Sequence, residues 1–415
     1  MSHWQEVQGW LRSFFRIFSI VALLFYAYIA VRNYRAQCWL QIAELAGIER
    51  SASIEPRNAE VWLSLGDHRL ALQDPEQALV LLQRAAALDP HDSRIWLDIA
   101  VAHHMRADLD AQQRAMDHAL TADPHSTVVA WQAAQLAFDE GDTAGALHHL
   151  RRIVESDPAN TVNALDLAWS ATEDLPRITA SALPSDTRSF SALLAVLLNH
   201  NQFNQIDSLW ATAQQQHVAN SPEIAITAVN SLLSNHASAT AARIWRDLAE
   251  RPELRGYQSS ATNLIVNSGF ELELLNNGFD WHIAPRDGVH IQADILSHTG
   301  DRSLRLDFDK SVAIDPGISQ LIYVGSIPSS TRLTLTFYGR TEDLNARSYL
   351  VIEDAESGAA LFRTSEIISP NHWKQYSGTF TLRATQLLWV HFVQTPAPAL
   401  SGHLWLDDFR LSPAQ

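Results

Sequence analysis

The chain has a single cysteine, Cys38, among 415 residues, which excludes an intrachain disulfide and a cysteine-built zinc site. Lysine is nearly absent: only Lys310 and Lys374 occur, so arginine carries almost all the positive charge. Acidic residues outnumber basic ones by 46 to 30, a formal net charge of −16. That balance is the reverse of the basic surface on which non-specific nucleic-acid binding depends, so no nucleic-acid partner is expected. Catalytic signatures are missing too. No GxSxG, phosphate loop, HExxH or paired catalytic carboxylates stand in a supporting context. The pairs His103-His104 and His148-His149 are helical neighbours pointing about 100° apart, and read as solvated or packing side chains. The expectation is a protein that is not an enzyme. Its 47% apolar and 18% charged composition nonetheless suits a folded rather than a disordered chain.

What the chain does have is a repeat. An acidic residue followed by proline recurs as Glu55-Pro56, Asp89-Pro90, Asp123-Pro124 and Asp157-Pro158, each proline 34 residues after the last. Trp62, Gly66, Ala78, Leu82 and Ala85 mark the first interval, and Trp96, Ala100, Met116 and Ala119 stand at matching places in the second. The third keeps Ala134, Ala146, Leu150 and Ile153. Small residues let two helices cross closely, large ones fill the space between units, and proline ends a helix. This pattern resembles the tetratricopeptide repeat, a helix–turn–helix unit of about 34 residues. The resemblance implies hairpins stacked into a solenoid whose concave face binds protein. Weaker echoes at Phe203 and Ala237 extend the expected solenoid over residues 36–250.

Before it, Ile17 to Val31 forms an apolar run flanked by Arg12, Arg16, Arg32 and Arg35. With Trp10 to Arg16 it approaches the ~20 residues a spanning helix needs, and no small-residue cleavage site follows. Residues 1–35 are therefore expected to be a cytoplasmic tail and transmembrane anchor, single-pass in a bacterial inner membrane, with the larger C-terminal part outside the cytoplasm.

After a polar segment at 251–262, expected to be a linker, the period changes from helical to alternating. Runs at 303–308, 333–338, 348–353, 386–393 and 403–410 read as short strands. Residues 263–415 are thus expected to be an antiparallel β-sandwich or jelly roll, giving a multidomain α plus β chain. The words Asn267-Ser268-Gly269-Phe270-Glu271, His298-Thr299-Gly300-Asp301-Arg302 and Trp405-Leu406-Asp407-Asp408-Phe409 resemble those of carbohydrate-binding modules with the galactose-binding-like jelly roll. That resemblance implies one structural Ca2+, with Glu271 and Asp407 or Asp408 as carboxylate ligands.

Alternation puts Leu333, Leu335 and Phe337 inward together with Leu388, Val390 and Phe392. Their neighbours then face out. If those faces coincide, Tyr338, Arg340, Tyr349, Glu353, Trp389 and His391 line one concave sheet suited to a polysaccharide. In the solenoid, the groove is expected to carry Leu63, Asp67, Leu97, Val101, Trp131, Gln135 and Phe138, with Leu70 and His104 beside them. That largely apolar face suits a protein segment with apolar anchors. The function these features imply is a membrane-anchored cell-envelope adaptor, holding protein on the solenoid and glycan on the sandwich, in polysaccharide assembly or export. The alternative is a structural assembly factor whose sandwich binds only protein.

Overall fold

The computed structural model describes residues 2–40, 45–311, 314–345, 347–395 and 399–414, with side chains described from residue 19 onward except at 311. The chain divides into two compact units, Met1–Leu183 and Pro184–Gln415.

The first unit is helical. A long helix α1 (Ser2–Leu40) and a short α2 (Leu45–Ile54) lead into three hairpins: α3 (Ala59–Ala71) with α4 (Pro75–Leu88), α5 (Ser93–Met105) with α6 (Leu109–Ala122), and α7 (Thr127–Asp139) with α8 (Thr143–Ser156). Helices α9 (Thr161–Thr172) and α10 (Leu175–Ser181) follow. The repeat period is written into the helix caps. Asn58, Asp92 and Ser126 each accept a backbone N–H at the start of the first helix of a hairpin. Asp74, Asp108 and Asp142 do the same for the second, satisfying donors that a helix start leaves free. Each Asp of the Asp-Pro pairs closes the preceding helix through its own N–H. Its carboxylate then accepts from the N–H two residues on, at His91, His125 or Ala159.

Inside the hairpins the expected residues meet. Leu82, Ala100, Ala134 and Leu150 are fully buried, as Met116 nearly is. A Cβ on Gly66 would lie 2.5 Å from Leu82 Cδ2, so the glycine is what lets α3 and α4 close. Trp62 and Trp96 donate their indole N–H to the Pro56 and Pro90 carbonyls. Arg84 lies 3.8 Å over the first ring and His118 stacks 4.4 Å from the second. In the third copy Ala130 replaces tryptophan, and Arg152 donates directly to the Pro124 carbonyl.

The expected transmembrane helix is not supported: among the described residues no helix is long and apolar enough to cross a membrane. Side chains from Ile20 to Tyr34 on α1 are nevertheless largely exposed. The part of the expected span before residue 19 lies outside the described side chains.

The second unit begins with four helices, α11 (Thr187–Asn199), α12 (Phe203–Gln215), α13 (Pro222–Ser234) and α14 (Ser238–Ala249), and continues into ten strands. These are β1 (His282–Ile283), β2 (Val289–Asp294), β3 (Ser303–Ser311), β4 (Ile318–Tyr323), β5 (Arg332–Glu342), β6 (Ser348–Asp354), β7 (Ala360–Arg363), β8 (Lys374–Thr381), β9 (Leu387–Gln394) and β10 (Leu400–Pro413). They form two antiparallel sheets, ordered β1-β4-β9-β6-β7 and β2-β3-β10-β5-β8. Between them lies a core in which Phe270, Trp281, Phe337, Phe392 and Phe409 contact one another ring to ring.

The segment 251–262 is built into this unit. Leu254 and Tyr257 are buried, the Tyr257 carbonyl accepts from Trp245 Nε1 at 2.8 Å, and its hydroxyl donates to the Glu273 carbonyl at 2.6 Å. Helix and sandwich also meet directly. Asn230 bonds both Asn277 and the Gly278 N–H at 2.8 Å, and Ser238 bonds Gln386 at 3.1 Å. Gly278 has a φ of +60° and leaves no room for a side chain beneath the Trp245 ring. The last four helices therefore share one compact body with the sandwich.

Candidate binding surfaces

The solenoid groove differs in part from the expected one. Leu63 and Leu97 are only 4% and 6% exposed. The first helices of successive hairpins pack side by side, α3 on α5 and α5 on α7, and these leucines lie in the resulting core. They are removed from the candidate groove. Asp67 and Gln135 are exposed, and Val101, Trp131 and Phe138 half-exposed. Trp131 lines a cavity of about 340 Å³ with Thr127, Val128, Gln132, Ile153, Asn160 and Asn163. Val128, which the sequence reading did not single out, is 61% exposed beside it.

Asp98 was also missed. Burial, and then a hydrogen bond to Asp67 on the neighbouring hairpin, push its carboxyl up to about 9. Nearby, Arg94 joins Glu60 and Asp92 at 2.7 Å each.

In the sandwich, four of the six expected sugar-facing residues share a face and two do not. Directly paired residues of adjacent strands lie on the same side of a sheet. Trp389 on β9 pairs with Leu321 on β4 and Glu353 on β6, while His391 pairs with Ser319 and Val351. Tyr349 lies two residues from Val351, which pairs with Arg363 on β7. Leu388, Val390 and Phe392 point the other way, into the core. Tyr349, Glu353, Trp389 and His391 thus occupy the outer face of the β4-β9-β6-β7 layer.

Its contacts are specific. The Trp389 and His391 rings stack 3.8 Å apart at 9°, and the Arg363 guanidinium sits 3.9 Å over Tyr349. His391 Nε2 stands 3.6 Å from the Glu353 carboxylate. His391 is 6% exposed, and neither of its ring nitrogens has a hydrogen-bond partner.

Tyr338 and Arg340 lie on β5, in the other sheet, so the single concave face expected from alternation is not formed. Tyr338 pairs with Asp407 and Gln375, and the His298 ring stacks on it at 3.6 Å. Arg340 pairs with Trp405 and holds its guanidinium 5.5 Å over that ring. Alternation separates inward from outward residues, but it does not say which sheet of a sandwich a strand joins.

The carboxylates of the opening segment and of the closing strand β10 do come together. A Cβ on Gly269 would lie 3.6 Å from Asp407 Oδ1, 3.8 Å from Glu271 Cγ and 4.0 Å from Asp408 Oδ1. Asp407 is fully buried, which pushes its carboxyl up to about 6, and it accepts the His298 and Thr299 N–H groups at 2.7 and 3.3 Å. Asp408 bonds His298 Nδ1 at 2.5 Å and the Thr299 hydroxyl at 2.6 Å, while Glu271 accepts the Asp301 N–H at 3.0 Å. Among the described residues no group of three His, Cys, Asp or Glu side chains is arranged to hold a metal ion. Side chains alone therefore do not make a calcium site here.

Comparison with known proteins is limited to parts of the chain. No curated protein sequence matches significantly. Among solved structures, the CBM22-1 xylan-binding domain of Paenibacillus barcinonensis Xyn10C is 14% identical with a TM-score of 0.28, covering 38% of this chain and 99% of that one. The module TmCBM61, solved with β-1,4-galactotriose, is 17% identical with a TM-score of 0.27, covering 37% and 99%. The pilF protein of Pseudomonas aeruginosa is 17% identical with a TM-score of 0.24, covering 46% and 75%. Residues 59–102 match the family profile of the tetratricopeptide repeat.

Proposed function

We propose that this chain is a non-enzymatic adaptor that holds a protein segment in the solenoid groove and a neutral glycan on the outer face of the β4-β9-β6-β7 layer. The observation that carries the glycan reading is the constellation on that face. A half-exposed Trp389, braced by His391, stands next to a carboxylate and an arginine-capped tyrosine. Aromatic faces suit the apolar faces of sugar rings, and planar charged groups suit paired hydroxyls. The groove beside Trp131 offers apolar anchorage bordered by Asn160 and Asn163, which suits an apolar side chain on an otherwise polar segment.

A cell-envelope role in polysaccharide assembly or export follows as the setting for such an adaptor. The exposed apolar side chains of α1 support attachment to a bacterial inner membrane, with the larger part of the chain that follows α1 outside the cytoplasm, since so long an apolar surface is costly in water. A structural Ca2+ near Gly269 belongs to the same proposal: Glu271 and Asp407 or Asp408 would supply carboxylates, and main-chain carbonyls the rest of the shell. It would offset the repulsion of acids gathered there.

A second reading, an assembly factor whose sandwich binds only protein, draws on the way this sandwich already receives α13 and α14 through Asn277, Gly278 and Gln386. The test is binding of the full chain to an array of neutral and acidic oligosaccharides. Trp389→Ala should abolish binding and Tyr338→Ala should leave it unchanged. Equal loss from both, or none from either, refutes the assignment of the face.

A further inference from the structure

The His391 imidazole is an anomaly on this face. Buried polar atoms almost always have partners, and a buried ring with both nitrogens unpaired calls for an explanation. The stacked Trp389 ring covers one side of it and cannot accept an in-plane N–H. Ser319 and Val351 flank it in register, yet neither bonds to it. The nearest acceptor, Glu353, is 3.6 Å away, beyond a hydrogen bond. Glu353 is itself partly exposed, so a turn of its side chain would uncover the buried Nε2 edge of the ring.

Resting on the glycan reading above, we propose that His391 and Glu353 together read one ligand hydroxyl. That hydroxyl accepts the His391 Nε2–H and donates to the Glu353 carboxylate, with Glu353 turning aside as it enters. The present 3.6 Å separation is too short to hold an oxygen between them, and with Glu353 turned aside to about 4.6 Å a hydroxyl oxygen can stand about 2.8 Å from each group. Only an unsubstituted hydroxyl can donate and accept at once, so the ligand class is a neutral glycan in which that position is free. An O-methyl or O-acetyl group cannot donate, a deoxy position can do neither, and a phosphate or sulfate would face the Glu353 carboxylate. His391 is then a specificity residue, held short of its partner in the free chain.

The experiment exploits opposite signs. His391→Phe keeps a flat ring against Trp389 but removes the unpaired nitrogens. His391→Leu serves as a second variant should phenylalanine overfill the site. Binding to the strongest neutral oligosaccharide found on the array, and to its singly deoxy and O-methyl analogues, is measured by calorimetry, with melting temperature alongside. The proposal predicts that a variant at His391 melts at or above the wild-type temperature and binds about tenfold or more weakly. One analogue should lose binding to wild type by a similar factor and show no further loss with the variant. If both variants melt lower and bind as tightly as wild type, the nitrogens are structural and the proposal is overturned. If wild type binds while Trp389→Ala does not, but every analogue binds equally, this inference fails and the glycan reading stands. If wild type binds no oligosaccharide on the array, both fall.

Discussion

The contact between Gly66 and Leu82 gives the sharpest quantitative test of the solenoid. Leu82 is fully buried, and its Cδ2 and Cγ lie 2.5 and 2.6 Å from where a Cβ on Gly66 would stand. Leu82→Ala alone empties that space and should cost about 2–5 kcal/mol, as large-to-small core changes do. Gly66→Ala alone drives a methyl into the leucine and should cost roughly 1–3 kcal/mol, less about 1 kcal/mol regained from helix propensity. In the double variant the new methyl enters the vacated volume, so part of the cavity and all of the clash disappear. The two changes should therefore couple, with the double variant more stable than the sum of the singles by about 1–2 kcal/mol. Urea unfolding followed by circular dichroism on the full chain measures all four states of the cycle. Costs that add to within about 0.5 kcal/mol would refute the close crossing of α3 and α4.

Other outcomes follow from particular residues. Gln73, Ala107 and Gly141 stand at the same point of successive hairpins with φ of +60°, +56° and +79°, a conformation that penalises every residue except glycine. Ala107→Gly should thus stabilise the chain by about 0.5–1 kcal/mol in urea unfolding, and destabilisation would contradict the turn. The Asp98 carboxyl, held up to about 9 by burial and by Asp67, keeps its proton in the folded state while the unfolded chain loses it above about pH 4. Its contribution to stability should be complete below that point and fall as pH rises toward 9. Asp98→Asn should flatten that part of the profile and raise the melting temperature at pH 8; an unchanged profile refutes the raised carboxyl. If a calcium ion sits near Gly269, chelation should lower the melting temperature of the second unit, and Glu271→Gln should remove the effect. An identical melt in chelator would withdraw the ion.

Much of the solenoid was legible because its determinants are local. The Asp-Pro turns and the Gly66–Leu82 pair lie within one repeat length, so spacing alone reveals them. Leu63 and Leu97 were misplaced for a related reason: the packing of α3 on α5 is set between repeats, and a helical wheel does not show it. In the sandwich, alternation identified Leu388, Val390 and Phe392 as core, but it could not reveal that β5 joins one sheet while β6 and β9 join the other. The segment 251–262 looked like a linker because it is polar. What fixes it are Leu254, Tyr257 and a main-chain carbonyl, and the partner of that carbonyl, Trp245, lies on a helix. Asp98 carried no signal in a sequence where acidic residues are common, since its shifted proton depends on Asp67 one repeat away.

The central claim is that one outer sheet face, and not its opposite, meets the ligand. Hydrogen–deuterium exchange of the full chain, with and without the strongest neutral oligosaccharide from the array, tests it most directly. The account predicts slower exchange confined within the sandwich to Ile318–Tyr323, Ser348–Asp354 and Leu387–Gln394. Protection centred on Arg332–Glu342 and Leu400–Pro413, with those three strands unchanged, would contradict it.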